Sequence, residues 1–221
     1  MMYTLQQEYR TLLRDRHYRH ATMLSCLSLI VSIAASVFAG RYATYEASNA
    51  VTDIILSNVK AFDLDGIFVY GTLAIITFTV LTALALPRSV PFMLFGLSLF
   101  YLIRSGFIVM THIGPYPIYG TPNFGSFVTR YFFGADLFFS GHTGAPFLLA
   151  LIHGRSPWLR NTYLAWTLFF GIVVLLGHYH YTIDVFAALF ITYTIYHLAR
   201  HIFPKARSLH DATVIDTATE T

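Results

Sequence analysis

Six stretches of this chain are apolar enough, or nearly so, to cross a lipid bilayer, and nothing else in the sequence limits its fold as tightly. They run approximately over 22–40, 66–86, 90–111, 136–153, 158–177 and 181–203. A crossing takes about 20 mostly apolar residues, because the hydrocarbon core is about 30 Å thick and a helix rises about 1.5 Å per residue. Backbone groups in hydrocarbon must pair within their own segment, so each stretch reads as a helix. The expected fold class is therefore all-α, a polytopic membrane protein built as a six-transmembrane-helix bundle. Charge agrees: 11% of residues are charged, against about 25% in soluble domains. That excludes a disordered chain, a nucleic-acid module and a water-soluble globule.

The fourth stretch is the weakest, since it holds Ser140, His142 and Thr143. The second and third are joined by Pro87-Arg88-Ser89, which suits a tight helical hairpin. The first follows basic residues, as a signal peptide would. Its apolar run exceeds the roughly 7–15 residues of a signal core, so it reads as a retained anchor. The expected organisation is an N-terminal segment over 1–21, a membrane domain over 22–203 and a tail over 204–221. The tail, rich in Ser, Thr, Asp and Glu after Lys205 and Arg207, reads as a loosely ordered terminus. The single cysteine, Cys26, permits neither an intrachain disulfide nor a cysteine metal site.

With the N-terminus inside, the inner segments hold Arg10, Arg14, Arg16, Arg19, Arg88, Arg155, Arg160, Arg200, Lys205 and Arg207. The outer segments hold Arg41, Lys60 and Arg130, and Arg104 lies within a span. Ten against three is a positive-inside bias. It places both termini in the cytoplasm and the loops 41–65 and 112–135 on the exoplasmic, periplasmic or lumenal side.

Polar residues cluster at that outer level. Ser140-Gly141-His142-Thr143 falls near the outer end of the fourth stretch, and Gly177-His178-Tyr179-His180-Tyr181-Thr182-Ile183-Asp184 lies where the fifth leaves and the sixth enters. Ionisable residues at membrane depth are costly and mark functional sites. Two such clusters at one depth point to a single site. His180 and Asp184 are four apart, and on a helix they would share a face. A carboxylate bonded to one imidazole nitrogen fixes the tautomer and leaves the other free to attack or to take a proton. His142 is then a second histidine, able to act as general acid. Two histidines and an orienting aspartate, with no cysteine in either cluster, suit phosphoryl chemistry through a phosphohistidine. For either cluster alone, a structural His180–Asp184 bond and an interfacial His142 fit equally well.

These residues resemble a family. The run from Gly134 to Thr143, with Asp136, Ser140, Gly141 and His142, is similar to the Cys-Gly-Asp-x-x-x-Ser-Gly-His-Thr motif of sphingomyelin synthases. His180-Tyr181-Thr182-Ile183-Asp184-Val185 matches their His-Tyr-Thr-x-Asp-Val motif. The wider group is the type 2 phosphatidic acid phosphatase superfamily, which shares a six-helix membrane fold. The resemblance covers about 134–200, is looser over 95–115 and is absent from the first 60 residues. It implies His180 as nucleophile, Asp184 as its orienting carboxylate and His142 as acid/base. It departs at Gly134-Ala135, where the family has Cys-Gly. The Lys-x6-Arg-Pro motif of the phosphatase branch has no counterpart, since Lys60 and Lys205 are the only lysines. Position 174, where that branch carries arginine, is Val174. The missing cationic clamp favours a transferase.

The remaining expectations concern substrate. Arg104, facing the site, would hold a phosphate by bidentate bonds. Asp136, Ser140, Gly141 and Tyr181 lie within the motifs. Tyr116, Tyr119 and Phe124 would cage a quaternary ammonium by cation–π contact, although an interfacial aromatic belt explains such residues as well. Glu46, Asp53, Asp63 and Asp65 read as a solvated loop. No metal-ligand spacing is present, and no cofactor is called for. The expected partners are a phospholipid donor carrying a phosphocholine-like headgroup and a lipid alcohol acceptor such as ceramide or diacylglycerol. Water as acceptor would make the protein a lipid phosphate phosphatase or a phospholipase C-like hydrolase. A non-enzymatic lipid-binding scaffold is the third possibility.

Overall fold

In the computed structural model, residues 2–116 and 136–218 are described, with side chains over 5–116 and 136–212. Eight α-helices are found among the described residues: α1 Met2–Arg14, α2 Arg16–Tyr45, α3 Asp65–Ala85, α4 Val90–Val109, α5 Gly141–Ile152, α6 Pro157–Leu176, α7 Thr182–Ile202 and α8 Pro204–Ala218. A 3-10 turn over Pro87–Ser89 joins α3 to α4, but the tight hairpin expected there does not form: α3 packs on α6, whereas α4 packs chiefly on α2. No strand occurs among the described residues. Five helices are long and apolar enough to cross a membrane: α2, α3, α4 with its 3-10 turn, α6 and α7. The protein is thus a polytopic helical membrane protein.

The fourth expected span is corrected. Residues 136–140 are not helical, and α5 has only 12 residues, about 18 Å long and short of the roughly 30 Å hydrocarbon core. Ser140 sets the start of the helix, because its hydroxyl accepts from the Thr143 amide and caps it. The short helix is central, packing on α4, α6 and α7. Gly144 makes this possible. A Cβ there would lie 2.7 Å from the Phe100 ring and 2.8 Å from the Thr192 hydroxyl, so any side chain would force α4 and α7 away from α5.

The main core is aromatic and aliphatic, with Phe92, Phe100, Phe139, Leu148, Tyr163, Phe170 and Val174 buried. Helix α2 packs chiefly on α4 and buries small residues, Ser25, Ser32, Ala39 and Ala43. Its larger apolar side chains, including Met23, Leu27, Ile30 and Phe38, are exposed. This inverts a water-soluble helix and suits a surface whose solvent is lipid.

The tail is also corrected. Residues 204–218 form α8, which docks under the start of α4. Phe203 stacks on Phe95 with centroids 4.4 Å apart. The His210 ring is buried between the Ser89 hydroxyl and the Ile152 carbonyl, both at 2.9 Å. A carbonyl only accepts, so Nε2 carries the proton and Nδ1 of the neutral ring accepts from Ser89. Polar composition hides this docking, because one buried histidine and Ala206 anchor the helix in place of an apolar stripe.

Candidate active site

The two polar clusters meet at one end of the bundle. The Ser140 amide donates to the Asp184 carbonyl at 3.1 Å, joining the N-terminus of α5 to the first turn of α7. His142, in the first turn of α5, is half-buried. Its ring packs on Phe68 at 4.4 Å and on Phe170 at 5.5 Å, and it lies within electrostatic range of His180 and Arg104. Pro146 lacks an N–H, so the hydrogen bond that residue 146 would donate to the His142 carbonyl is missing from the helix.

His180 is not on a helix, which corrects the spacing argument. It precedes the N-cap Tyr181, and α7 begins at Thr182. It reaches Asp184 across the helix entry: Nδ1 lies 3.4 Å from Oδ2 of Asp184. The same oxygen accepts from the Tyr181 amide at 2.9 Å. Asp184 is the third residue of α7, and a carboxylate there bonds the cap amide and favours the positive end of the helix. One oxygen thus caps the helix and faces the imidazole. Both residues are buried, Asp184 completely, and its Oδ1 has no hydrogen-bond partner among the described residues. The imidazole is held by Nδ1, so Nε2 is the nitrogen left to react.

Arg104, on α4, is buried but committed within the protein. Nε donates to the Phe139 carbonyl at 2.7 Å, one terminal nitrogen to the Asp136 carbonyl at 2.7 Å, and the other to the Asp136 carboxylate at 3.2 Å. It therefore ties down the irregular segment before Ser140. Gly141 lies under it, since a Cβ there would sit 3.3 Å from Nε. Asp136 is accordingly an ion-pair partner of Arg104.

The Tyr181 side chain is buried, its hydroxyl donating to the Gly114 carbonyl at 2.8 Å and accepting from the Val51 amide at 3.3 Å. Tyr116 bonds Ser57 and packs edge-on to His178 and Tyr181. Tyr119 and Phe124 lie outside the described residues. His178 adopts a left-handed backbone, φ 56°, and its Nε2 bonds the Val59 carbonyl at 3.1 Å. Among the described residues no cluster is arranged to hold a metal ion.

Sequence reasoning passed over Asp53. Far from being solvated, it accepts from the Thr182 amide at 2.7 Å and the Thr182 hydroxyl at 2.6 Å. It also accepts from the amides of Ile55 and Leu56. Burial alone would raise its carboxyl, but the Thr182 hydroxyl and the three amides outweigh that and hold it below the usual range. Asp65 likewise accepts from the Tyr179 hydroxyl. The segment 46–64 is thus a strap over the entry to α7. The available signal was an Asp-x-Ile-Leu turn, and nothing local named its partner.

No curated protein and no solved structure matches the chain. Residues 134–202 match the family model described as PAP2 superfamily C-terminal. The matched segment begins just before Asp136, takes in His142, His180 and Asp184, and ends with α7. This match supports membership in the type 2 phosphatidic acid phosphatase superfamily, whose members are phosphatases or phosphotransferases acting on phosphate esters, and marks the protein as a membrane enzyme of that chemistry.

Proposed function

We propose that the enzyme is a lipid phosphotransferase of the sphingomyelin synthase type, moving a phosphorylated headgroup from a glycerophospholipid to a lipid alcohol. The observation that carries this reading is the junction of the two motifs, with His180 on Asp184 and the Ser140 amide on the Asp184 carbonyl. In the first half-reaction, Nε2 of His180 attacks phosphorus, and the bond from phosphorus to the diacylglycerol oxygen breaks. His142, entering as imidazolium, gives its proton to that oxygen. In the second, neutral His142 takes the proton of an acceptor hydroxyl such as ceramide's. The resulting oxygen attacks phosphorus, and the P–N bond to His180 breaks. Asp184 holds Nδ1–H and stabilises the imidazolium character that develops on His180. Its 3.4 Å contact is longer than a formed charge-assisted bond of about 2.7–2.9 Å, and it tightens when substrate binds. Arg104 acts by fixing residues 136–139 ahead of the α5 N-terminus, and a phosphate oxygen is favoured at that N-terminus. The positive-inside bias puts this end of the bundle on the exoplasmic face.

The superfamily includes phosphatases, which keeps water as the competing acceptor. Purified protein incubated with labelled phosphatidylcholine, with and without ceramide, separates the two. Product that requires ceramide supports the transferase, phosphocholine released without it makes the enzyme a hydrolase, and no turnover of any phosphate ester overturns both.

A further inference from the structure

At the end of α5 away from the histidines, the folded-back α8 forms one wall of a half-open cavity of about 110 Å³. This is several times the roughly 10–15 Å³ that admits a water. Its walls include the turn after α5 with Arg155, α7 with Tyr196 and Arg200, and α8 with Arg207, His210 and Asp211. The lining therefore carries three arginines and one carboxylate. Asp211 pairs with Arg155 at 3.0 Å and with Arg207 at 3.4 Å, one oxygen to each. Arg200 instead lies over the Tyr196 ring, 5.4 Å from its centroid, one turn away on α7. The ring holds its fork in place without neutralising it. Asp211 bridges two of the arginines and so sets their spacing, yet the described lining keeps a surplus of two positive charges. Arginine forks match phosphate oxygens bidentately, and basic pockets between membrane helices take up phospholipid headgroups.

We propose that this cavity is a second binding site, separate from the histidine pair, for a phosphate-bearing anion. The phosphate is carried by an anionic phospholipid headgroup or is free in solution. The site exists only while α8 is docked, so its occupant would bind α8 to α5 and α7.

The test uses the full chain in nanodiscs of phosphatidylcholine, then of phosphatidylcholine with phosphatidylglycerol, then of phosphatidylcholine with inorganic phosphate. Retained lipid is counted by native mass spectrometry and the unfolding midpoint is followed. Arg200→Gln is the main variant, because among the described residues Arg200 makes no ion pair whose loss would undock α8. Arg160→Gln is the control, an exposed arginine near the same end that does not line the cavity. We expect phosphatidylglycerol to raise the midpoint of wild type and of Arg160→Gln alike, with Arg200→Gln binding about fivefold more weakly. The same pattern with inorganic phosphate alone assigns the free anion. Equal binding by wild type and both variants, equal weakening by Arg160→Gln and Arg200→Gln, or no response to either anion would overturn the proposal. None of these outcomes depends on turnover at His180.

Discussion

The backbone amide of Ser140 donates to the backbone carbonyl of Asp184 across 3.1 Å, and this bond holds the N-termini of α5 and α7 together. Side chains play no part in it, so substitutions at either position test chemistry without cutting the joint. Ser140 caps the helix that presents His142, and Asp184 both caps the helix after His180 and faces its imidazole.

Asp184→Asn should therefore fold and insert, since the asparagine oxygen still accepts the Tyr181 amide. Turnover should fall by roughly two to four orders of magnitude, on the scale of losing the orienting aspartate in a serine protease. Steady-state kinetics beside a thermal melt checks both halves. A fully active Asp184→Asn beside an inactive Asp136→Asn would transfer the orienting role to Asp136. The Arg104–Asp136 pair predicts instead that Asp136→Asn acts mainly on stability.

His180→Ala should abolish any covalent phosphorylated intermediate trapped from labelled donor. His142→Ala should slow both half-reactions, and a donor with a strongly acidic leaving group should restore the first. Restoration by that donor in His180→Ala, and not in His142→Ala, would mean the roles are exchanged.

Asp53→Ala removes the acceptor from the Thr182 amide and hydroxyl and from two amides of the strap. A loss of about 1–2 kcal/mol is expected, read as a lower unfolding midpoint in detergent, with activity reduced less than in Asp184→Asn. The folded carboxyl is held below its usual range, so its contribution is complete above about pH 4 and is lost as pH falls through the folded value. The gap between variant and wild type should therefore be unchanged from pH 5 to 8.

Acid should loosen α8. Burial holds the His210 imidazole below its ordinary value, with the Arg155 charge adding to this and the Ile152 carbonyl and Asp211 opposing it. The unfolded histidine takes its proton first, near pH 6.5, so docking is intact above that value and weakens as pH falls below it. Melting midpoints should drop between pH 7.5 and 5.5 in wild type and drop less in His210→Asn. Parallel curves would assign the acid sensitivity elsewhere.

For topology, Lys60→Cys and Arg160→Cys can be placed in a Cys26→Ala background, both sites being exposed. An impermeant thiol reagent applied to intact cells should label position 60 and spare position 160. The reverse would put the histidine pair on the cytoplasmic face.

The apolar runs alone determined the membrane-crossing helices, because hydrocarbon leaves a backbone no local alternative to the helix. The two histidine motifs were equally legible, since ionisable groups at that depth stand out against an apolar background. Their local geometry was not. His180 sits before α7 and not on it, and the fourth run yields only α5 because Ser140 caps the chain at that point. What joins distant parts left no periodic trace. Asp53 meets Thr182 across 129 residues, Arg104 meets Asp136 across 32, and His210 meets Ser89 across 121. Each contact is a few hydrogen bonds between polar side chains and partners distant in sequence. Sequence pattern reports the burial of whole faces, whereas such bonds depend on where the packed helices bring single groups, and only the tertiary structure decided that.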